Sequence, residues 1–213
     1  GEGGILLTNN NIFAQRMRYI RNHAEAVVSK SFIKKNPNMI GYNFRMGEIE
    51  SAIGLEQLKK LKKKIKIRQE IASQLDKHLS KLKGLQIPKT MKYNTHSYYI
   101  YALKIDEKVT KVSRDKIFNA LKAEGIPDLL KNYFNLHLLP IYQSKLAYGS
   151  KGFPWKSQFN KNKIDYRKGI CPVAENLNKT KLILLELCVF EYSKKEINLI
   201  IKSFQKVWKH LIK

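Results

Sequence analysis

Apolar residues recur at helical spacing through much of residues 46–83, and this pattern constrains the fold more than any other feature. Residues 46–61 carry the first part of it, and a second helix is predicted from about Lys63 to Lys83. In that second helix the apolar side chains fall on one face at spacings of four and three: Ile67, Ile71, Leu75, Leu79 and Leu82. Gly84 follows as a predicted C-terminal cap. Two long amphipathic helices are therefore expected before the middle of the chain.

The residues before these helices predict a strand, a helix and a loop. GGILLT at residues 3–8 predicts a short strand, and Asn9–Asn11 can cap a helix that continues through IFAQRMRYIRN. Residues 23–42 are polar and contain Pro37 and Gly41, so they predict a long loop. Loops of about twenty residues inside a compact domain are often functional.

The second half of the chain predicts a small α+β arrangement. SYYIYALKI alternates and is aromatic, as a strand requires, and Ser113 begins a helix that Gly125 closes. GIP starts another extended segment, and residues 128–170 are irregular. Ser193 and Glu196 form a capping box for a last helix with a wide apolar stripe. Residues 84–95 resemble a linker, so we predict two domains, at 1–84 and 85–213.

The chain is strongly basic, with 41 Lys and Arg residues against 17 Asp and Glu and a net charge of +24. Such a surplus is typical of nucleic-acid-binding proteins. Only seven of the 41 basic residues are Arg, however, and the rest are Lys. Because Arg makes the bidentate contacts that read guanine and phosphate, this bias toward Lys argues against a protein that reads specific bases. The Lys residues are also scattered over every predicted helix. We interpret the charge as a solvated surface that can steer an anionic small molecule toward a site.

Cysteine use and hydropathy exclude several classes of protein. Cys171 and Cys188 are far apart and have neither disulfide-framework nor zinc-site spacing. Both lie in apolar stretches, so we expect them to be small core residues in a reducing cytosol. No apolar run approaches the ~20 residues that span a bilayer. No metal site is predicted.

The stretch GYNFRMGEIESAIGLEQL, at residues 41–58, is the first candidate for binding chemistry. Asn43 is well suited to a position just ahead of a helix, where backbone N–H groups and the helix dipole favour an anion. Arg45 adds a full positive charge, so a phosphate group could bind here. An ordinary capped helix with an exposed Arg explains the same residues.

The stretch NYFNLHLLPIYQ, at residues 132–143, is the second candidate. Tyr133, His137 and Tyr142 combine rings with a hydrogen-bonding group, which suits a sugar or a nucleotide. A hydrophobic loop packed on the core is the alternative. His23 and His96 also lie in loops or at strand ends. No Ser-His-Asp pattern can be proposed, and the few acidic residues do not favour a glycosidase-type carboxylate pair.

Taken together, these motifs resemble the DegT-type nucleotide-sugar aminotransferases, which use pyridoxal phosphate on the type I aminotransferase fold. The resemblance rests on the order of GEGGILLTNN, RMRYIRNHAE, GYNFRMGEIESAIGLEQLKKL, HSYYIYAL, NALKAEGIP, YFNLHLLPIY and GICPVAENL. It implies an α/β fold in which this chain supplies the end of the large domain and a small C-terminal α+β domain. The family's Schiff-base lysine lies a few residues before GEGG. The resemblance therefore implies a C-terminal portion whose catalytic lysine is expected upstream of Gly1, and no catalytic residue is assigned here.

The resemblance also assigns roles to individual residues. Asn43 is expected to reach the cofactor phosphate of the partner subunit in a homodimer with shared active sites, with Tyr42 and Arg45 as flanking candidates. His137 is expected at the sugar site with Tyr133 and Tyr142. His23 matches the family's loop histidine and is a further substrate-binding candidate. Two residues depart from the family pattern: Ala24 stands where Gly is usual, and Asn135 stands where Pro is common.

The implied activity is transfer of an amino group from a donor such as glutamate to the ketone of a nucleotide-linked sugar. Surface polysaccharide or amino-sugar biosynthesis, in the cytoplasm, is the expected setting. A pyridoxal-phosphate-dependent sugar dehydratase on the same fold is the nearest alternative, since a histidine replaces the lysine in some relatives. A basic nucleic-acid-binding protein and an inactive assembly piece are the others. The first ~60 residues are expected to be marginally stable alone, because their apolar surfaces need partners.

Overall fold

A computed structural model describes residues 2–24, 39–161, 164–189 and 191–212. The chain divides into two compact units, Gly1–Lys64 and Ile65–Lys213. The division falls about twenty residues before the domain boundary predicted at 84/85. The observed division lies earlier because Ile71, Leu75 and Leu79, which precede residue 84, are buried in the core of the second unit. The boundary at 84/85 stays a prediction.

The first unit begins with an unpaired segment and a capped helix. Helix α1 is Asn11–Arg21, and the Oδ1 atom of Asn10 accepts hydrogen bonds from the backbone N–H groups of Ile12 (2.9 Å) and Phe13 (3.2 Å). The predicted cap is therefore confirmed. The strand predicted at residues 3–8 is wrong for this structure, because those residues pair with no other described strand. Most of the predicted loop, residues 25–38, lies outside the described residues.

Helix α2 is a single helix, Glu48–Leu79, where two helices were predicted. The break expected near residue 62 does not occur because the intervening residues 59–66 are mostly Lys, a good helix former. The helix also ends earlier than Lys83. Gly84 lies five residues beyond it in a turn, with a positive φ of 77°. The carbonyl of Gly84 then accepts from the N–H of Asp106 (2.8 Å).

The second unit is built on a four-stranded antiparallel sheet. Its strands are β1 (Leu85–Gln86), β2 (Ile100–Ile105), β3 (Leu129–Leu130) and β4 (Leu182–Glu186), in the spatial order β1-β2-β4-β3. Tyr101 of β2 and Leu129 of β3 both pair with Leu185 of β4. The strand predicted in SYYIYALKI is confirmed as β2. The sequence analysis missed β4, although it is a central strand of the sheet.

Two helices, α4 (Arg114–Ala123) and α7 (Lys194–Leu211), contribute buried side chains to the core beside this sheet. The short helix α3 (Glu107–Thr110) follows β2. Ser113 caps α4, and Ser193 and Glu196 form the predicted capping box of α7. Six residues of the predicted stripe on α7 are buried: Ile197, Ile200, Ile201, Phe204, Val207 and Trp208. These side chains join those of β2, β4, α4 and the end of α2 in one hydrophobic core.

The described residues between β3 and β4, 131–161 and 164–181, form an excursion from the sheet and carry the second candidate site. It contains a 3-10 turn (Leu136–Leu138), α5 (Pro140–Ser144), α6 (Pro172–Asn176) and a π-helical turn (Leu177–Lys181) that leads into β4. Cys171 precedes α6 and is exposed, so its expected place in the core is wrong. Cys188 is half-buried, and both thiols are free. None of the described helices combines the length and hydropathy that crossing a bilayer requires.

Candidate functional site

The end of α1 and residues 41–45 form the first candidate site, in the first unit. The backbone N–H of Tyr42 donates to the carbonyl of Ile20 (2.7 Å), and that of Phe44 donates to Arg21 (2.9 Å). The N–H of His23 donates to the carbonyl of Tyr42 (3.0 Å). Asn22 and Asn43 face each other in an isolated antiparallel bridge. The fold thus brings together all four residues predicted from this half of the chain: His23, Tyr42, Asn43 and Arg45.

Side-chain contacts tie Arg45 to the end of α1. Its guanidinium donates to the Oδ1 atom of Asn22, and a second nitrogen lies 3.4 Å from Nε2 of His23. The rings of Tyr42 and Phe44 stack at 4.9 Å. We call Asn22, His23, Asn43 and Arg45 the Arg45 cluster. Asn22 was missed by the sequence analysis, since nothing in the sequence pairs it with a residue 23 positions away.

Close backbone approach sets the shape of the Arg45 cluster. A Cβ atom on Gly41 would lie 2.0 Å from the backbone N of Ala24 and 2.3 Å from the carbonyl carbon of His23. Only glycine fits between these segments. His23 and Ala24 both have positive φ, 58° and 57°. Ala24, which stands where the family usually has Gly, therefore adopts a left-handed conformation at a cost in strain.

The helix N-terminus does not contribute to this cluster in the predicted way. Helix α2 begins at Glu48, five residues after Asn43, so Asn43 is not its N-cap. Glu48 and Glu50 occupy the first turn, and their carboxylates satisfy the positive end of the dipole. Guanidinium groups, and not the helix N-terminus, are the groups that favour an anion here. Arg18, Arg21 and Arg45 line one cleft, and the other lining residues include Gly3, Gly4, Glu2 and Glu50.

The second candidate site lies in the excursion of the second unit. Nε2 of His137 lies 2.9 Å from Oε1 of Glu175, and the two side chains are 12% and 13% exposed. The N–H of Tyr133 donates to Oδ1 of Asn178 (2.8 Å), and the Asn178 amide donates to Oδ1 of Asn135 (2.7 Å). Residues of α6 and the turn after it therefore hold both ends of the segment 133–137.

Glu175 accepts several hydrogen bonds within this second site. Its carboxylate accepts from the backbone N–H of Gly169 (2.8 and 2.9 Å) and of Cys171 (3.3 Å), besides His137. The Gly169 N–H is the main cause that lowers the pKa of Glu175 below its ordinary value, and His137 adds to it. Glu175 is consequently a carboxylate that accepts hydrogen bonds only.

Tyr142 lies in an aromatic cluster with Trp155 and Tyr166. The centroid of the Tyr142 ring lies 6.2 Å from that of Trp155 and 5.1 Å from that of Tyr166. The indole N–H of Trp155 donates to the Tyr166 hydroxyl (3.0 Å). Gln143 joins this cluster to the His137 segment by donating to the carbonyls of His137 and Tyr166 (both 2.6 Å). The ring of Tyr133 is separate and 62% exposed.

Arg114 was missed by the sequence analysis and anchors the second site to the sheet. It is 3% exposed, and its guanidinium donates to the carbonyls of Leu182 (2.7 Å), Lys179 (2.6 Å), Asn178 (3.2 Å) and Lys131. Asp115 accepts its remaining N–H (2.8 Å). These carbonyl partners lie up to 68 residues away, so no local pattern reveals them. Within the described ranges, no three His, Cys, Asp or Glu side chains are arranged to hold a metal ion.

Comparisons with known proteins give this arrangement a family context. The model of the DegT/DnrJ/EryC1/StrS aminotransferase family matches residues 1–179. The spore coat polysaccharide biosynthesis protein SpsC of Bacillus subtilis is 29% identical over 160 residues, which cover 72% of this chain and 41% of that protein. The GDP-perosamine synthase of Caulobacter vibrioides is 26% identical over 144 residues, covering 67% and 37%.

A solved structure shares the fold. The crystal structure of DesV from S. venezuelae superimposes with a TM-score of 0.68 at 20% identity, covering 96% of this chain and 46% of DesV. The α/β fold class expected from the resemblance is confirmed by this likeness. The chain spans about two fifths of the length of the curated relatives it matches.

Proposed function

Since this chain belongs to the DegT/DnrJ/EryC1/StrS aminotransferase family, we propose that it forms part of an enzyme that aminates a nucleotide-linked sugar. The amino group comes from a donor such as glutamate, and the acceptor is a ketone on the sugar ring. The family match over residues 1–179 is the observation that carries this proposal. The name of the Caulobacter relative, GDP-perosamine synthase, supports a nucleotide-linked sugar as the substrate class.

Aminotransferases of this family use pyridoxal phosphate, and the residues of the Arg45 cluster fit its phosphate group. Arg45, Asn43 and His23 offer N–H donors on an exposed surface, and Arg18 and Arg21 line the same cleft as Arg45. Guanidinium and amide donors are the groups that bind phosphate oxygens. When bound, the cofactor supplies an electron sink for proton transfer at the carbon that carries nitrogen.

In the proposed mechanism the residues of this chain bind and orient rather than transfer protons. Arg45 and Asn43 hold the cofactor phosphate, with Arg45 fixed in place by its bond to Asn22. His137, Tyr133 and Tyr142 contribute to the sugar pocket. The net charge of +24 attracts the diphosphate of a nucleotide-linked sugar before it binds.

The proposal includes a homodimer in which Asn43 and Arg45 of one subunit serve the cofactor of the other. Large apolar side chains exposed in the first unit support a subunit interface there: Ile5, Leu6, Leu7, Ile12, Phe13, Phe44 and Ile49 are 56–89% exposed. We place the enzyme in surface polysaccharide biosynthesis, such as that of lipopolysaccharide, in the cytoplasm. SpsC, named for spore coat polysaccharide, supports the pathway class.

The test uses the protein of the longest reading frame that contains this chain. Pyridoxal phosphate binding is measured by absorbance titration for the wild type and for Asn43→Ala, Arg45→Ala and Arg16→Ala. Arg16 is exposed on α1 and lies outside the Arg45 cluster, so it controls for the loss of one charge. We expect the dissociation constant to rise about tenfold or more in Asn43→Ala and Arg45→Ala and to stay within about twofold in Arg16→Ala. Equal effects of the two Arg variants, or no binding by the wild type, would contradict the proposal.

A further inference from the structure

The segment 133–137, proposed above as one wall of the sugar pocket, is held from behind by two side chains of one short stretch. Asn178 bonds to the backbone of Tyr133 and to the side chain of Asn135, and Glu175 bonds to His137. Glu175 and Asn178 are three residues apart, on α6 and the π-helical turn after it. A single rigid support therefore fixes three positions of the segment.

The support is itself locked to the sheet by Arg114. The buried guanidinium bonds to the carbonyls of Asn178 and Lys179 in the π-helical turn and to that of Leu182, where β4 begins. The backbone N–H of Arg114 donates to Glu107 (2.7 Å), which ties α4 to α3. A hydrogen-bonded path thus runs from the sheet through the turn to His137, and each member has defined partners.

The hydrogen bond to Glu175 places a hydrogen on one nitrogen of the His137 ring. An ionised carboxylate can only accept, so Nε2 of His137 carries the hydrogen in the 2.9 Å bond to Glu175. In a neutral imidazole the other nitrogen, Nδ1, is then an acceptor. Within the described ranges Nδ1 has no hydrogen-bond partner, and it is not among the fully buried unpaired atoms. The side chain of His137 is 12% exposed, so its ring is not fully enclosed by the protein.

We propose that Glu175 and Asn178 are positioning residues for the sugar-binding segment, and that Glu175 fixes His137 as the tautomer whose Nδ1 accepts a hydrogen bond from a substrate hydroxyl. This inference rests on the proposed function for the nature of the substrate, and it adds the orientation of His137. A sugar hydroxyl is a donor of the required kind, and the exposed ring of Tyr133 on the same segment offers an apolar face for a sugar. Glu175 and Asn178 act on the substrate only through the residues they hold.

The first arm of the test does not depend on activity. The ¹⁵N–¹H correlation spectrum of histidine side chains is recorded for the protein of the longest reading frame at neutral pH, and His137→Gln identifies the His137 signals. We expect the Nε2–H tautomer in the wild type and in Glu175→Gln, whose amide oxygen can still accept. We expect Glu175→Ala to lose this preference. A wild-type His137 with its proton on Nδ1, or in an equal mixture of tautomers, would overturn the assignment.

The second arm measures kcat and KM for the nucleotide-linked keto-sugar. These values distinguish residues that position the sugar-binding segment from residues that only stabilise the fold. We expect Glu175→Ala and Asn178→Ala to raise KM for the sugar about tenfold, with kcat within about threefold, and Glu175→Gln to restore most of the loss. If folded Glu175→Ala has the same KM for the sugar as the wild type, the bond between Glu175 and His137 serves the fold only, and the positioning role is refuted. If the wild type transfers no amino group at all, the proposed function fails, while the tautomer measurement still decides the orientation of His137.

Discussion

Gly41 lies against the backbone of His23 so closely that a Cβ atom there would be 2.3 Å from the His23 carbonyl carbon. This contact sets the register between the end of α1 and the segment that carries Asn43 and Arg45. The geometry of the Arg45 cluster therefore depends on the absence of a side chain at position 41.

We predict that Gly41→Ala destabilises the protein by about 1–3 kcal/mol, because the clash is with backbone atoms that cannot move aside. The free energy of unfolding in urea is the measurement. Gly54→Ala is the matched control: it lies within α2, its Cβ would meet nothing within 4 Å, and Ala favours helix. That variant should gain about 0.5–1 kcal/mol. Equal effects of the two substitutions would disprove the close contact at Gly41.

Ala24 provides a prediction of opposite sign. Its φ of 57° strains an L-residue, so Ala24→Gly should stabilise the protein by about 0.5–1 kcal/mol, after allowance for the greater freedom of Gly in the unfolded chain. Thermal denaturation provides the measurement. Ala14→Gly, within α1, should cost about 1 kcal/mol. A lower stability of Ala24→Gly would mean that residue 24 is not left-handed.

Tyr101 and Asp76 give a prediction on alkaline stability. The buried Tyr101 hydroxyl donates to Oδ1 of Asp76 (2.5 Å), and burial, followed by this bond, raises the pKa of Tyr101 well above its ordinary value. A raised pKa in the folded state contributes stability below about pH 10 that is lost as the pH rises further. Tyr101→Phe should therefore cost about 1 kcal/mol at pH 7, and the deficit should shrink above pH 10.

The matched control for this prediction is Tyr99→Phe, because the Tyr99 side chain is 65% exposed. Urea unfolding at several pH values between 7 and 11 compares the two variants with the wild type. Tyr99→Phe should follow the wild type throughout. A constant deficit of Tyr101→Phe across this range would show that ionisation of Tyr101 is not coupled to folding.

Glu175 gives the corresponding prediction in acid. Its pKa is lowered in the folded protein, chiefly by the N–H of Gly169, so it contributes stability above its ordinary pKa of about 4.3 that is lost as the pH falls. Glu175→Gln should be less stable than the wild type at pH 7, and the gap should close below about pH 4. Glu70→Gln, at an exposed position of α2, is the control for the loss of one carboxylate. A gap that widens in acid would contradict the lowered pKa.

Sequence patterns predicted the elements that are determined by residues close together in the chain, such as helix caps and apolar stripes. The capping box of Ser193 and Glu196 and the apolar stripe of α7 gave that helix, and Asn10 and Ser113 gave two helix starts. Strand β4 was missed because LILLE is a short, nearly continuous apolar run, whose pattern does not distinguish a buried strand from a helix. The strand expected at residues 3–8 fails because a strand also needs a partner.

In the candidate sites, too, residues within motifs were predicted and their distant contact partners were not. Asn43, Arg45, His23 and His137 were predicted from motifs, and their roles stay predictions. Asn22 and Glu175, which bond to Arg45 and His137, were not predicted, and neither was Asn178, which bonds to Tyr133 and Asn135. These contacts join residues 23–45 positions apart. Asn135 shows the same limit: its side chain accepts from Asn178, a tether that a proline at this position would lack.

Transfer of nitrogen is the measurement that tests the proposed function most directly. The protein of the longest reading frame is incubated with pyridoxal phosphate, ¹⁵N-labelled glutamate and a nucleotide-linked keto sugar, and the sugar product is analysed by mass spectrometry. We predict a nucleotide-linked amino sugar that carries one ¹⁵N atom. A product that has lost water and gained no nitrogen would instead identify a sugar dehydratase, and an unchanged sugar across a panel of such ketones would contradict both.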